Sequence, residues 1–182
     1  MPNIQDGNQL IKIDVFEKVG LEQGMNVGDL GCGNLGYFTL ISARKVGKKG
    51  IVYAVDILKT ALQSVENRIR QEGLENIRTI WSNLEIYGAT KIQEATLDVA
   101  FMHNVLFHAK EGDSMLKEAS RMLKSGGKLM IIDWLRISSP FGPPVEDRPL
   151  PQTVKNLASG IGLRQIDEFS AGPYHFGLIF IK

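Results

Sequence analysis

The sequence predicts a doubly wound α/β fold built on a mostly parallel β-sheet. Short apolar segments rich in Val and Ile alternate with amphipathic helical segments, as strands do when helices cover both faces of a sheet. Near the C-terminus the order changes, because the strand-like segments 163–169 and 175–182 are separated by only five residues. A parallel crossover needs about a dozen residues or more, so these two strands must be antiparallel. The sheet is therefore predicted to end in a hairpin.

The remaining strands are predicted from apolar runs, and the helices from their periodicity and their end signals. The strand candidates are residues 25–30, 50–56, 77–82, 96–103 and 128–134. A helix is expected around Ile11–Val19. In a later helix, Leu62, Val65 and Ile69 form one apolar stripe. This helix is expected to end at Gly73, since glycine readily adopts the left-handed conformation of a C-cap.

Two further helices flank a proline-rich loop. One helix is expected to have Asp113 as its N-cap and to stop at Gly126, and another is expected near Thr153–Ile161. Residues 135–151 contain five of the seven prolines of the chain. This loop is predicted to be either a stiff connector across the sheet edge or a wall over the functional site.

Composition and charge favour a single soluble domain over residues 1–182, with residues 1–20 as an N-terminal helical segment. Hydrophobic residues make up 43% of the chain and the net charge is +1, so no global field attracts nucleic acid or an anionic membrane. The single cysteine, Cys32, excludes an intrachain disulfide and a multi-cysteine zinc site. The sequence shows neither a signal-like start nor an apolar run of membrane-spanning length. A cytoplasmic protein without a metal is therefore expected.

A glycine-rich loop follows the first predicted strand of the alternating series. Gly31, Gly33 and Gly36 have the spacing G-x-G-x-x-G, which by itself is a dinucleotide fingerprint. Such a loop lets the backbone approach a ligand and directs amide N–H groups at its anionic part. Asp56 ends the next strand twenty residues after Gly36, where a carboxylate can accept hydrogen bonds from both ribose hydroxyls. The ligand is therefore predicted to carry a ribose.

Asp29, two residues before the first glycine of the loop, separates the candidate ligands. A carboxylate at this position repels a pyrophosphate and attracts an ammonium group, although it can also simply cap the following turn. The chain also leaves no room for the separate substrate domain of a nicotinamide-dependent dehydrogenase. S-adenosylmethionine, which combines ribose, ammonium, carboxylate and adenine, fits these features.

Five segments occur in an order that resembles the class I S-adenosylmethionine-dependent methyltransferases from about Leu21 to the C-terminus. The segments are VGDLGCGNLGYFTL (27–40), VYAVDI (52–57), LDVAFMHNVLFH (97–108), EASRMLKSGGKLMIIDW (118–134) and YHFGLIFIK (174–182). The resemblance implies a Rossmann-like, doubly wound, seven-stranded and mostly parallel sheet with an antiparallel C-terminal strand. It also implies S-adenosylmethionine as the cofactor.

The resemblance assigns roles to residues along the cofactor. The methionine part would be held by Asp29 and by the glycine loop, namely Gly31, Cys32, Gly33 and Asn34. The nucleoside part would be held by Asp56 at the ribose, Ile57 against the adenine, and the pair Asn83 and Leu84 at the adenine amino group. At that last place the family commonly has an acid, but the Asn83 side-chain oxygen can still accept the bond. The glycine loop is one residue longer than the usual G-x-G-x-G.

Methyl transfer from a sulfonium is an in-line displacement that requires a positioned nucleophile relieved of its proton. The resemblance implies that His103 and Asn104 lie near the transferred methyl group. His103, His108 and Asp133 are the candidates for handling the proton, and Arg136 is a further candidate in this region. Aromatic residues that could line an acceptor pocket are Phe38, Phe107, Trp134 and Phe141.

A small-molecule acceptor is expected, because the chain shows no appended recognition domain and no basic face. The fourth-strand segment lacks the Asn/Asp-Pro-Pro-aromatic sequence typical of enzymes that methylate exocyclic amino groups of nucleobases. The alternatives left open are an RNA or protein methyltransferase, an S-adenosylmethionine-binding protein without turnover, and an NAD-binding protein on the same α/β plan. The sequence does not indicate an oligomeric state.

Overall fold

The computed structural model describes residues 14–108 and 112–182, apart from the side chains at 108 and 112, and in these ranges it contains a seven-stranded sheet. The strands are β1 (Asn26–Leu30), β2 (Ile51–Asp56), β3 (Ile77–Trp81), β4 (Leu97–His103), β5 (Leu123–Trp134), β6 (Arg164–Ser170) and β7 (His175–Ile181). Their order across the sheet is β3-β2-β1-β4-β5-β7-β6. Strands β1 to β5 are parallel, and β7 is antiparallel to both β5 and β6. The predicted fold class and the terminal hairpin are confirmed.

The helices cover both faces of this sheet. They are α1 (Val15–Val19), α2 (Tyr37–Val46), α3 (Lys59–Glu72), α4 (Gly112–Met122) and α5 (Pro151–Gly160). The predicted N-terminal helix is observed as α1, and residues 11–13 lie outside the described ranges. Helix α3 ends as predicted, with Gly73 as a left-handed C-cap at φ 63°. Among the described helices none is both long and apolar enough to cross a membrane.

The predicted limits of α4 are wrong at both ends. The helix begins at Gly112, so Asp113 lies inside its first turn, where it pairs with Lys117 at 2.8 Å. The helix ends at Met122 because Leu123 is fully buried and already pairs with Leu97 of β4. Gly126 has a positive φ of 78°, but it turns the chain within the first part of β5 rather than stopping a helix.

The direction of the sheet order reverses at β1, which fixes where a ligand can bind. From β1 the chain continues outward to β2 and β3, and then crosses back so that β4 pairs with the other side of β1. The connections after β1 and β4 therefore leave in opposite directions and open a crevice at the carboxyl ends of these strands. The glycine loop follows β1 and thus lies at this crevice.

A buried ion pair ties the loop between β3 and β4 to α4. Glu118 is fully buried and accepts hydrogen bonds from the backbone N–H groups of Gly88 at 2.7 Å and Thr90 at 3.0 Å. Arg121 donates to Glu118 at 2.8 Å and to the carbonyl oxygens of Thr90 and Ile92. Both charges are fully hydrogen-bonded, which is the condition under which a buried pair is tolerated. This loop carries the adenine-side residues described below.

Candidate cofactor and acceptor site

Two of the three glycines of the loop after β1, Gly31 and Gly36, are required by close packing. A Cβ at Gly31, whose φ is 91°, would lie 2.3 Å from Cγ2 of Val105, in the connection after β4. A Cβ at Gly36, whose φ is 54°, would lie 2.9 Å from Cγ2 of Val65 on α3. Gly31 therefore lets the two loops of the crevice touch, and Gly36 lets α2 start close to α3.

The amide groups of the glycine loop are engaged within the protein. The N–H groups of Gly31 and Cys32 donate to the carbonyl oxygen of Val55 at 2.8 and 3.0 Å. The N–H group of Gly33 donates to Asp56 Oδ2 at 2.9 Å. A ligand carboxylate would therefore have to meet other groups of this loop, where Asn34 is exposed. The predicted contacts of the methionine part remain a prediction.

Asp29 is buried at the end of β1 and faces α2. Its Oδ2 accepts a hydrogen bond from the Thr39 hydroxyl at 2.5 Å. Burial raises the pKa of the Asp29 carboxyl to about 6, against the opposing effect of the bonds from Thr39. A ligand ammonium group beside Asp29 would favour its ionised form. The hydroxyl bond ties β1 to α2, and the alternative role of Asp29, capping of the following turn, stays a prediction.

Asp56 connects the glycine loop to the start of α3. Its Oδ2 accepts from Gly33 and its Oδ1 accepts from the N–H of Leu58 at 2.9 Å. Each carboxylate oxygen keeps a second lone pair for a ligand hydroxyl. The side chain is 9% exposed, so it is held rigidly at the edge of the crevice. This geometry agrees with the predicted ribose contact without testing it.

The predicted adenine residues border an open cavity of about 670 Å³ at the carboxyl ends of β2 and β3. Its lining comprises Ile57, Thr79, Ile80, Trp81, Ser82, Asn83, Ile86, Ala89 and Lys91. Trp81 was not predicted from the sequence, yet its indole N–H donates to the carbonyl of Ile57 at 2.8 Å and its side chain is 61% exposed. Asn83 Oδ1 accepts from the N–H of Glu85 at 2.9 Å. Leu84 instead packs into the core.

A column of rings lies at the carboxyl ends of β4 and β5 and at the amino end of the antiparallel strand β7. Phe38 is 4.9 Å from His103, His103 is 6.1 Å from His175, and His175 is 4.1 Å from Trp134, measured between ring centroids. His175 and Trp134 are direct partners in the β5–β7 register. Sequence reasoning missed His175, and the only available signal was its position at the start of the last strand. Two of the four predicted acceptor-pocket aromatics, Phe38 and Trp134, contact these imidazoles.

The other predicted residues of this region have different surroundings. Asn104 has a left-handed backbone with φ 52°, and its Oδ1 is buried without a hydrogen-bond partner in the described structure. Asp133 is buried, and its oxygens accept from the N–H groups of Leu106 at 3.0 Å and Trp134 at 2.8 Å. Burial raises the pKa of Asp133 to about 7. The side chain of His108 lies outside the described part of the chain.

The proline-rich loop is organised around one buried arginine that the sequence did not single out. The guanidinium carbon of Arg148 lies 5.1 Å from the Trp134 ring centroid. Its nitrogens donate to the side-chain or carbonyl oxygens of Leu135, Ile137, Ser139, Phe141 and Pro143. The loop therefore packs over Trp134, and its role as a wall over the functional site stays a prediction. Phe141 contacts Tyr174, and Phe107 and Arg136 line a separate cavity of about 180 Å³.

Replacing Arg148 by lysine is expected to release this loop. An ammonium group has three donors and no planar fork, so it cannot satisfy the same set of oxygens. We expect the free energy of unfolding to fall by at least about 2 kcal/mol. Amide hydrogen exchange in residues 136–147 should accelerate. The exposed Arg164, replaced by lysine in the same way, is the control and should change neither quantity; unchanged exchange in the Arg148 variant would contradict the anchoring role.

Comparisons with known proteins place these features in context. Residues 21–161 match a family model described as a methyltransferase domain. The chain is 30% identical over 135 residues to the ubiquinone/menaquinone biosynthesis C-methyltransferase of Hydrogenovibrio crunogenus, a match covering 74% of this chain and 52% of that protein. It is 29% identical over 144 residues to the 2-phytyl-1,4-naphtoquinone methyltransferase of Nostoc punctiforme, covering 79% and 61%.

The fold is also found among solved structures. A SAM-dependent methyltransferase from Aquifex aeolicus superimposes on this chain with a TM-score of 0.87 and 28% identity, covering 98% of this chain and 94% of that one. The curated relatives are longer, and the chain spans about half the length of the first relatives that it matches. The residues that match the family model, 21–161, include the strand ends that form the crevice.

Proposed function

The chain belongs to the class I S-adenosylmethionine-dependent methyltransferase family, and we propose that it methylates a ring carbon of a small hydroxylated aromatic acceptor of the quinol type. The observation that carries this proposal is the ring column, in which the aromatic side chains of Phe38 and Trp134 pack against the two buried imidazoles. Quinone-named relatives that match two thirds or more of this chain support the same acceptor class. Family membership sets aside the NAD-binding alternative.

The cofactor would lie along the crevice from β1 to β3. Asp29 would meet the ammonium group of the methionine part and Asp56 the ribose hydroxyls. Ile57 and Asn83 border the cavity for the adenine. His103 lies at the carboxyl end of β4 and would border the space in which the methyl group is transferred. The protein supplies orientation and exclusion of water, while the bound cofactor supplies an already activated methyl group.

The transfer balances without a further reactant. Loss of the hydroxyl proton of the quinol makes the neighbouring ring carbon a nucleophile. The electron pair of this carbon forms the new C–CH₃ bond, and the S–CH₃ bond breaks with its electron pair moving to sulfur. The ring then loses the proton of the methylated carbon and regains its aromaticity, and the oxygen is reprotonated. One S-adenosylhomocysteine and one proton result for each methylated ring.

This proposal is tested with S-adenosylmethionine and 1,4-naphthalenediol, kept reduced. We expect S-adenosylhomocysteine and a ring-methylated product in equal amounts, measured by mass spectrometry. The matched probes are 1,4-dimethoxynaphthalene and oxidised 1,4-naphthoquinone, which cannot form the oxyanion and should yield neither product. Turnover with RNA or a protein substrate, together with no turnover of the diol, would replace the small-molecule proposal by one of the alternatives.

A further inference from the structure

Three buried imidazole nitrogens at the acceptor side have no hydrogen-bond partner within the described residues. They are Nε2 of His103 and both ring nitrogens of His175. His175 is fully buried and His103 is 8% exposed. Buried polar atoms are paired in the great majority of cases, and an unpaired one carries a desolvation penalty of about 1–3 kcal/mol. Two such side chains next to each other therefore require a hydrogen-bond partner from outside the described residues, and a bound ligand can supply it.

The two imidazoles lie on the same face of the sheet, near the end of the crevice. Side chains alternate along a strand, and the contacts of His103 with Phe38 and of His175 with Trp134 place both imidazoles on the face that α2 covers. Their ring centroids are 6.1 Å apart, which is too far for a direct bond between the rings. Two hydrogen bonds of about 2.9 Å can meet at one oxygen atom between rings at this spacing.

Both imidazoles are held in the neutral form. Burial lowers the pKa of His103 to about 3, with a smaller effect from His175. Burial also lowers the pKa of His175 to about 4, and the positive charge of Arg148 adds to this effect. A neutral imidazole has one donor and one acceptor nitrogen. It does not repel a cationic sulfonium, and it can bind a hydroxyl group.

We propose that His175 and His103 form a hydroxyl-binding subsite that positions the acceptor for methyl transfer. This inference rests on the proposed function and adds to it the group that the site recognises, namely an aromatic hydroxyl. His175 is a positioning residue supplied by the antiparallel strand β7, and Trp134 and Arg148 fix its ring from behind. Because the two imidazoles stay neutral, they accept and donate hydrogen bonds rather than store the proton.

The test measures binding rather than turnover. With saturating S-adenosylhomocysteine, calorimetric titration compares 1-naphthol with 1-fluoronaphthalene, which has a similar size and cannot donate a hydrogen bond. We expect the unmodified protein to bind 1-naphthol at least about tenfold more tightly, as one well-made hydrogen bond allows. In His175→Phe this preference should disappear. His175→Asn, which keeps a hydrogen-bonding oxygen, should restore part of it.

A purely structural role has a different signature. It would lower the thermal stability and the S-adenosylhomocysteine affinity of the variants while the preference for 1-naphthol stayed the same, and that result would overturn the inference. If the hydroxyl preference is present and depends on His175 but 1,4-naphthalenediol is not methylated, the proposed function fails and the subsite stands. If the diol is methylated equally well by His175→Phe, the subsite fails and the proposed function stands.

Discussion

Replacement of Asp56 by alanine is expected to weaken the binding of S-adenosylhomocysteine by about 100-fold or more. Without the carboxylate, the ribose hydroxyls would lose two charge-assisted hydrogen bonds, each of about 1.5–3 kcal/mol. The same change frees the N–H groups of Gly33 and Leu58, so the glycine loop itself loses its anchor. Isothermal titration of the variant and the unmodified protein measures the effect.

A second ligand distinguishes the two possible causes of weaker binding, namely loss of the loop anchor and loss of the ribose contact. The unmodified protein should bind the 2′-deoxy analogue of S-adenosylhomocysteine more weakly than S-adenosylhomocysteine, whereas Asp56→Ala should bind both equally. A deoxy effect that persists in the variant would contradict the ribose assignment. The control is Asp98→Ala, since Asp98 also accepts a backbone N–H group, that of Asn26 at 2.8 Å. Asp98 lies at the amino end of β4, whereas the crevice lies at the carboxyl ends of the strands, so cofactor affinity should stay unchanged.

Replacement of Glu118 by glutamine is expected to lower the free energy of unfolding by about 3–5 kcal/mol, because it breaks a buried ion pair by removing one charge. The neutral amide also presents a donor to groups that are all donors, namely Arg121 and the N–H groups of Gly88 and Thr90. Urea unfolding measures the difference. Glu168→Gln is the control, since the exposed pair of Glu168 with Lys155 is worth at most about 1 kcal/mol.

The difference in the free energy of unfolding between the unmodified protein and Glu118→Gln should shrink as the pH falls. Burial opposes the ionisation of Glu118, but the bonds from Arg121 and from the two backbone N–H groups outweigh it and lower the pKa from 4.5 to about 2. A depressed pKa in the folded state stabilises the protein above pH 4.5 and loses this contribution, about 3 kcal/mol, as the pH falls toward 2. The two proteins should therefore converge in stability between pH 4.5 and 2. A constant difference would contradict the ionised state of Glu118.

The local features of the chain were predictable because they depend on neighbours in sequence. Strand alternation, the glycine-capped end of α3 and the antiparallel hairpin all follow from patterns within about twenty residues, and the structure confirms them. Asp29 and Asp56 could be placed at strand ends for the same reason. The predicted limits of α4 were wrong at both ends. The helix ends before Gly126 because Leu123 already pairs with Leu97 and begins the strand.

The arrangement of the proposed acceptor side could not be predicted, because its residues meet through long-range contacts that no local sequence pattern indicates. His175 reaches His103 only because β7 inserts between β5 and β6 and pairs residue 175 with Trp134. In the sequence, Arg148 is an ordinary charged residue of a proline-rich loop. In the structure, it is buried and donates six hydrogen bonds to that loop. The sequence by itself thus determined the α/β plan and predicted the residues proposed for the cofactor, because these residues directly follow strands. Only the tertiary structure revealed the ring column proposed for the acceptor, because burial and sheet order bring together side chains that lie far apart in the chain.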